Sequence, residues 1–76
     1  MFLHVGGDYI VPAKDIVAIM DIEKATISND TRNFLKVSEE EGFTITLAIN
    51  EMPKSFIVIR DKRGSKVILS PISTNT

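Results

Sequence analysis

The sequence contains no cysteine and no tryptophan, and His4 is its one histidine. Disulfide bonds are therefore excluded, and so is a zinc site built from cysteine and histidine ligands. No apolar run approaches the roughly 18 residues of a membrane span, and the opening MFLHVGGDY lacks the charged and apolar regions of a signal peptide. We therefore expect a cytoplasmic protein that holds no metal and contacts no membrane.

The length of 76 residues predicts one domain, spanning residues 1–76. With 43% hydrophobic and 25% charged residues, the composition is typical of a folded globular protein. A domain of this size buries only about 60% of the surface that its unfolded chain exposes. Because disulfides and a cysteine–histidine zinc site are excluded, partner subunits are the remaining means of stabilisation, and we expect a homo-oligomer.

Acidic and basic residues are separated along the chain. Residues 1–53 contain four Lys or Arg and nine Asp or Glu, a net charge of −5, whereas residues 54–76 contain five and one, a net charge of +4. The formal total of −1 hides this asymmetry. The basic part is predicted to face either a polyanion or the acidic part of a neighbouring copy.

The β-branched and apolar segments predict short strands. Residues 2–5 and 9–11 flank the turn signal Gly-Gly-Asp and predict a first hairpin. The length of IVAIMDI (16–22) favours a strand buried on both faces, while its periodicity is also compatible with a helical start. FTITLAI (43–49) predicts another strand. SFIVIRD (55–61) and KVILSPI (66–72) predict a second hairpin, whose connection Asp61-Lys62-Arg63-Gly64 has the chemistry of a type I turn with a glycine bulge.

One helix is predicted between these strands. NDTRNFLKVSEEEG predicts about three helical turns, with Ser28 or Asn29 as the N-cap and Gly42 as the C′ residue. We expect four apolar side chains of this region to face the sheet: Ile27, Phe34, Leu35 and Val37. The predicted fold class is α+β, a mostly antiparallel sheet of about five short strands with one α-helix packed on it.

The chain offers no constellation typical of an enzyme. Nucleophilic catalysis needs a base beside a nucleophile, and His4 lies among Phe2, Leu3 and Val5 in a predicted strand. A structural or subunit-interface role is therefore favoured for this histidine over a catalytic one. The glycine patterns of dinucleotide and P-loop phosphate sites are absent. We expect no catalysis, no cofactor and no small-molecule substrate.

Five of the nine basic residues lie in the stretch KSFIVIRDKRGSK, residues 54–66: Lys54, Arg60, Lys62, Arg63 and Lys66. A β-hairpin bearing lysine and arginine can follow DNA phosphates or enter a groove. Exposed hairpin ends are also commonly basic without any such function. Because four or five cations on a monomer bind DNA weakly, the DNA hypothesis requires an oligomer that repeats the patch.

Both ends of the chain resemble a known family. MFLHVGGDYIVPAKDIVAIMDIE and EMPKSFIVIRDKRGSKVILSPIS are similar to the opening and closing parts of the small bacterial extracellular matrix regulatory proteins, the Rem family, and within it to the B branch (RemB, also called YaaB). The residues that carry the resemblance are His4, Gly6, Asp8, Lys14-Asp15-Ile16-Val17, Pro53-Lys54-Ser55 and Leu69-Ser70-Pro71.

This resemblance implies a cytoplasmic regulator of biofilm matrix genes. The A branch of the family is a DNA-binding transcriptional activator that assembles into closed rings, with arginines just before one strand contacting DNA. The corresponding loop here is Glu51-Met52-Pro53-Lys54-Ser55. It lacks the arginine cluster of the A branch, and Lys54 is the position that matches in charge.

Two functions follow as hypotheses. In the first, the chain is a ring-forming DNA-binding regulator that uses Lys54 and the hairpin cations. In the second, it is a ring-forming interaction or structural module that does not bind DNA, and the basic hairpin of one copy contacts acids of the next. The residues proposed for such a subunit interface are His4, Glu39, Glu40 and Glu41. The three glutamates are otherwise a solvated helix end, which opposes the helix dipole at a small cost.

Overall fold

A computed structural model describes residues 1–74, which form six strands and two helices. Strands β1 (Phe2–Gly6) and β2 (Tyr9–Pro12) pair antiparallel, which confirms the first predicted hairpin. A single 3-10 turn, Ala13–Asp15, then leads into β3 (Ile16–Asp21). The two helices, α1 (Ile22–Ala25) and α2 (Asn29–Glu40), separate β3 from the remaining strands.

The last three strands are β4 (Thr44–Thr46), β5 (Ser55–Asp61) and β6 (Gly64–Ser70). They join β3 in a four-stranded sheet with the order β3-β5-β6-β4, while β1 and β2 form a separate two-stranded sheet. Strand β5 pairs antiparallel with both β3 and β6, and β4 pairs parallel with β6. The fold class is α+β as predicted, with six strands in two sheets in place of about five in one.

The β1–β2 hairpin covers one face of the central strands. Ile57, Ile59 and Ile68 form the core there, together with Val5 and Val11 of the hairpin. Side chains alternate along a strand, so this face uses every second residue of β5. The hydroxyl of Ser70 donates to the carbonyl of Val5, and this buried hydrogen bond fixes the hairpin to β6.

Helix α2 lies over the opposite face, where Phe56 and Val67 are buried. Its N-terminus is capped as predicted, because the Ser28 hydroxyl accepts from the backbone N–H of Thr31 at 3.4 Å. Gly42 ends it with a φ of +78°, the left-handed conformation expected at C′. The hydroxyls of Ser38 and Thr44 are 3.0 Å apart and connect the end of the helix to β4.

The prediction that residues 16–22 form a strand buried on both faces is wrong. Strand β3 is an edge of the four-stranded sheet, and Val17 is 63% exposed. Ile19 and Met20 are exposed as well. The β1–β2 hairpin packs mainly on β5 and β6, with Ile16 of β3 at the margin of this core. The outer side chains of β3 stay uncovered within residues 1–74.

Three other expectations are corrected. Phe34 and Val37 are each 45% exposed, and Ile27 is exposed, so of the predicted sheet-facing set only Leu35 is partly buried. Strand β4 has three residues, not the predicted seven, because its pairing with β6 ends at Leu69. Helix α1 was not predicted; its N-cap is Asp21, whose carboxylate accepts from the N–H of Lys24 at 3.1 Å.

No helix within residues 1–74 is long and apolar enough to cross a membrane.

Candidate nucleic-acid interface

The turn between β5 and β6 has the predicted chemistry. Asp61 and Gly64 are paired residues, which leaves Lys62 and Arg63 as the two-residue connection. The Asp61 carboxylate accepts from the backbone N–H of Arg63 at 2.7 Å, a local bond that favours a tight turn. Gly64 has a φ of +119°, which a residue with a Cβ rarely adopts. The turn therefore holds its two cations on a defined backbone.

The hairpin tip, residues 60–66, is exposed at every position. Four of its seven residues are cationic: Arg60, Lys62, Arg63 and Lys66. Its one acid, Asp61, is engaged with the turn backbone. Within residues 1–74, none of these four cations forms an ion pair with a carboxylate of the same chain. The tip consequently presents net positive charge to the surroundings.

Lys66 contacts an aromatic ring of the same chain. Its Nζ lies 5.7 Å from the centroid of the Phe43 ring, a cation–π contact. Phe43 immediately precedes β4, and its carbonyl accepts from the N–H of Val67 at 2.9 Å. The backbone of β6 and the ring of Phe43 thus hold one side of the tip in place.

Lys54 is far from the tip. Its N–H donates to the carbonyl of Ser70 at 2.8 Å, and its carbonyl accepts from the N–H of Ile22 at 3.1 Å. These contacts place it at the opposite end of the hairpin, roughly 25 Å from Lys62 at the strand rise of about 3.3 Å per residue. The side chain of Lys54 is exposed. The structure therefore brings together four of the five predicted cations and separates the fifth.

The acidic run lies at the end of α2. Glu39 and Glu40 are the last residues of the helix, and Glu41 is its C-cap, with an N–H that donates to the carbonyl of Val37 at 2.9 Å. All three side chains are exposed, and within residues 1–74 none pairs with a cation of its own chain. Their carboxylates are free to meet solvent or another molecule, so the interface assignment stays a prediction.

His4 is exposed on β1 and bonds within its own hairpin. Its Nε2–H donates to the carbonyl of Gly7, in the turn between β1 and β2. This contact gives the histidine a structural role in the turn. Its place in a subunit interface stays a prediction.

Exposed apolar side chains are the surface feature that the sequence analysis missed. Ile49 and Met52 are 80% and 82% exposed in the loop before β5, and Val17 is exposed on the β3 edge. Each of these three side chains leaves most of its apolar surface in contact with solvent. Of these three, only Val17 had been predicted to be buried, because a sequence pattern does not show which strands lack a covering layer.

The fold and surface define a small α+β protein whose distinctive exposed feature is a cationic β-hairpin. A family model described as RemA-like, extracellular matrix regulatory protein A-like, matches residues 2–76, and the chain belongs to this family. Extracellular matrix regulatory protein B of Bacillus subtilis (strain 168) is 33% identical over 76 residues, which are 100% of this chain and 84% of that protein. The predicted family resemblance, including the similarity to the B branch, is confirmed.

Proposed function

We propose that this chain is a cytoplasmic, non-catalytic transcriptional regulator of extracellular-matrix and biofilm genes that binds double-stranded DNA as a homo-oligomer. The observation that carries the proposal is the hairpin tip, where four exposed cations have no ion-pair partner within residues 1–74. Lysine and arginine side chains of this kind bind phosphates and release counterions. Lys54 adds a separate cation at the other end of the hairpin.

Repetition of the tip in an oligomer is a necessary part of this proposal. One tip offers four cations, and a ring of copies would present the same four many times to one DNA molecule. The exposed apolar residues Val17, Ile49 and Met52 support assembly, since burying them against another copy removes apolar surface from water.

The decisive experiment compares two double variants by fluorescence anisotropy on a labelled DNA duplex over a series of salt concentrations. Lys62→Glu with Arg63→Glu is expected to abolish binding at low salt. The matched control is Lys14→Glu with Lys24→Glu, which makes the same change in net charge at exposed residues outside the tip. The control is expected to keep the salt dependence of the wild-type protein, because the phosphate contacts remain.

Two results would contradict a tip-mediated contact. Unchanged binding by the tip variant removes the hairpin from the interface. Equal losses in both variants show that net charge alone is responsible. The mass of each protein in solution, determined at the same salt concentrations, tests the assembly separately.

The alternative function is a ring-forming interaction or structural module that does not bind DNA. It is favoured by the exposed Glu39, Glu40 and Glu41, which can accept the hairpin tip of a neighbouring copy in a head-to-tail contact. In that case the same measurements give no DNA binding by the wild-type protein and an assembly that dissociates as salt screens the contact.

A further inference from the structure

A cleft of about 760 Å³ lies between α2 and the hairpin tip. Clefts of this volume are typical of small-molecule sites, which are mostly apolar and contain a few polar groups. Helix α2 forms one wall, with Phe34 and Val37, and Phe43 belongs to the same lining. Val58 and Val67 of the sheet contribute further apolar surface. No step of the proposed DNA contact uses this apolar lining.

The apolar wall of the cleft is incompletely covered by the protein itself. Phe34, Val37 and Phe43 each leave close to half of their surface exposed. An apolar group placed between them would remove this surface from water, which is favourable in proportion to the area buried. The cleft between the helix and the sheet therefore has room for an alkyl chain, and burial of the exposed apolar surface favours binding of that chain.

The charged residues that line the cleft indicate the head group of the ligand. Arg63 and Lys66 line it, and Asp30 is the one carboxylate that residues 1–74 contribute, so their part of the lining carries a net charge of +1. Neither cation has an ion-pair partner within residues 1–74, and Lys66 is already positioned over the Phe43 ring. An anionic head group attached to the alkyl chain would meet both cations where the hairpin closes the cleft.

We propose that this cleft binds a single small amphipathic anion, an alkyl chain with a carboxylate or similar head group. The site goes beyond the proposed DNA interface, although it shares Arg63 and Lys66 with it. Ligand binding is therefore expected to neutralise part of the tip. A monomeric amphiphile is the occupant that fits, because the cleft has the volume for one alkyl chain and its cations lie at one part of the lining.

The test is isothermal titration calorimetry on the full chain without DNA, with three ligands of equal chain length below their micelle concentrations. Decanoate is expected to bind about tenfold more tightly than decyltrimethylammonium, with decanol between them, since two exposed cations favour the anion and disfavour the cation. Equal affinity for all three ligands would overturn the assignment of an anionic head group. Binding to vesicles of anionic lipid but not to decanoate would overturn a monomeric ligand.

Variants locate the site. Val37→Asp is expected to abolish decanoate binding, whereas Ile27→Asp, which also puts a carboxylate at an exposed aliphatic side chain but lies outside the cleft lining, leaves it unchanged. Asp30→Asn is expected to tighten decanoate binding about threefold, because it removes a negative charge from the cleft. Lys66→Glu is expected to weaken it by more than about threefold, because it replaces a positive charge with a negative one. Lys14→Glu, at an exposed lysine outside the cleft lining, is the matched charge control and is expected to leave decanoate binding unchanged.

The variants also separate a ligand site from a subunit contact. If a second copy fills the cleft, Val37→Asp dissociates the assembly and the wild-type oligomer does not bind decanoate, which overturns the proposal. Circular dichroism of each variant confirms that it is folded. Because no DNA is present, failure of the ligand site leaves the proposed DNA function standing, and the reverse holds as well.

Discussion

The two ends of the β5–β6 hairpin differ in burial, in charge and in hydrogen bonding. At the hairpin root, residues 54–57 and 68–70, Phe56 is 1% exposed and Ile68 is fully buried. The hydroxyl of Ser55 donates to the carbonyl of Ile72 at 2.7 Å, and that of Ser70 donates to the carbonyl of Val5. The tip has no buried residue and four cations.

Within this one pair of strands, the root therefore supplies folding stability and the tip supplies a surface for binding. The root is held by apolar burial and satisfied polar groups, which are the large contributions to folding. The tip is held by a short turn and by the strand pairing that the root stabilises. Its charges therefore can be exposed for another molecule, at the small cost of placing like charges near one another in water.

The largest effect is expected from truncating the root. Phe56→Ala should lower the free energy of unfolding by about 3–5 kcal/mol, because it leaves a cavity between the sheet and α2. Urea unfolding followed by circular dichroism measures this change. The matched control is Phe2→Ala, which removes an exposed ring and is expected to cost less than about 1 kcal/mol. Similar losses in both variants would contradict a root that carries the stability.

A smaller effect is expected from the buried hydroxyl at the root. Ser70→Ala should cost about 1–3 kcal/mol, because the Val5 carbonyl loses its donor and the N–H of Ile72 loses its acceptor. Ser65→Ala makes the same change at the exposed tip and is expected to leave unfolding unchanged within about 0.5 kcal/mol. If both variants unfold alike, the hydrogen bonds of the root contribute no net stability.

The elements that the sequence predicted are those with local signals. The β5–β6 hairpin follows from alternation and from the chemistry of Asp61 and Gly64, and helix α2 follows from its caps at Ser28 and Gly42. Which side chains are buried, by contrast, depends on contacts between segments that are distant in sequence. Val17 lies in a run that is as apolar as β5, yet β3 is an edge strand and β5 is covered on both faces. The parallel pairing of β4 with β6 likewise depends on how distant segments meet.

The candidate site was predictable to the same extent. The cations of the tip are close in sequence, so a hairpin necessarily brings them together. The contact of Lys66 with Phe43 and the cleft beside α2 join segments that are distant in sequence. No periodicity indicates how closely a helix packs on a sheet, and Phe34 and Val37 were consequently expected to be covered.

The smallest effect compares one cation from each end of the hairpin. In the DNA titration, Lys62→Gln should lower the slope of log affinity against log salt by about 1, the value for one lost phosphate contact. Lys54→Gln is expected to lower it by less than half as much, because Lys54 lies at the opposite end of the hairpin from the four cations of the tip.

Equal slopes for Lys54→Gln and Lys62→Gln would remove the distinction between root and tip in DNA binding. They would place the duplex along the length of the hairpin, so that one DNA molecule reaches both ends of the same copy or the root of a neighbouring one. A slope lowered by about 1 in Lys62→Gln and unchanged in Lys54→Gln would confine the contact to the tip. The comparison therefore measures how much of the hairpin the DNA covers, while neither substitution disturbs a buried group.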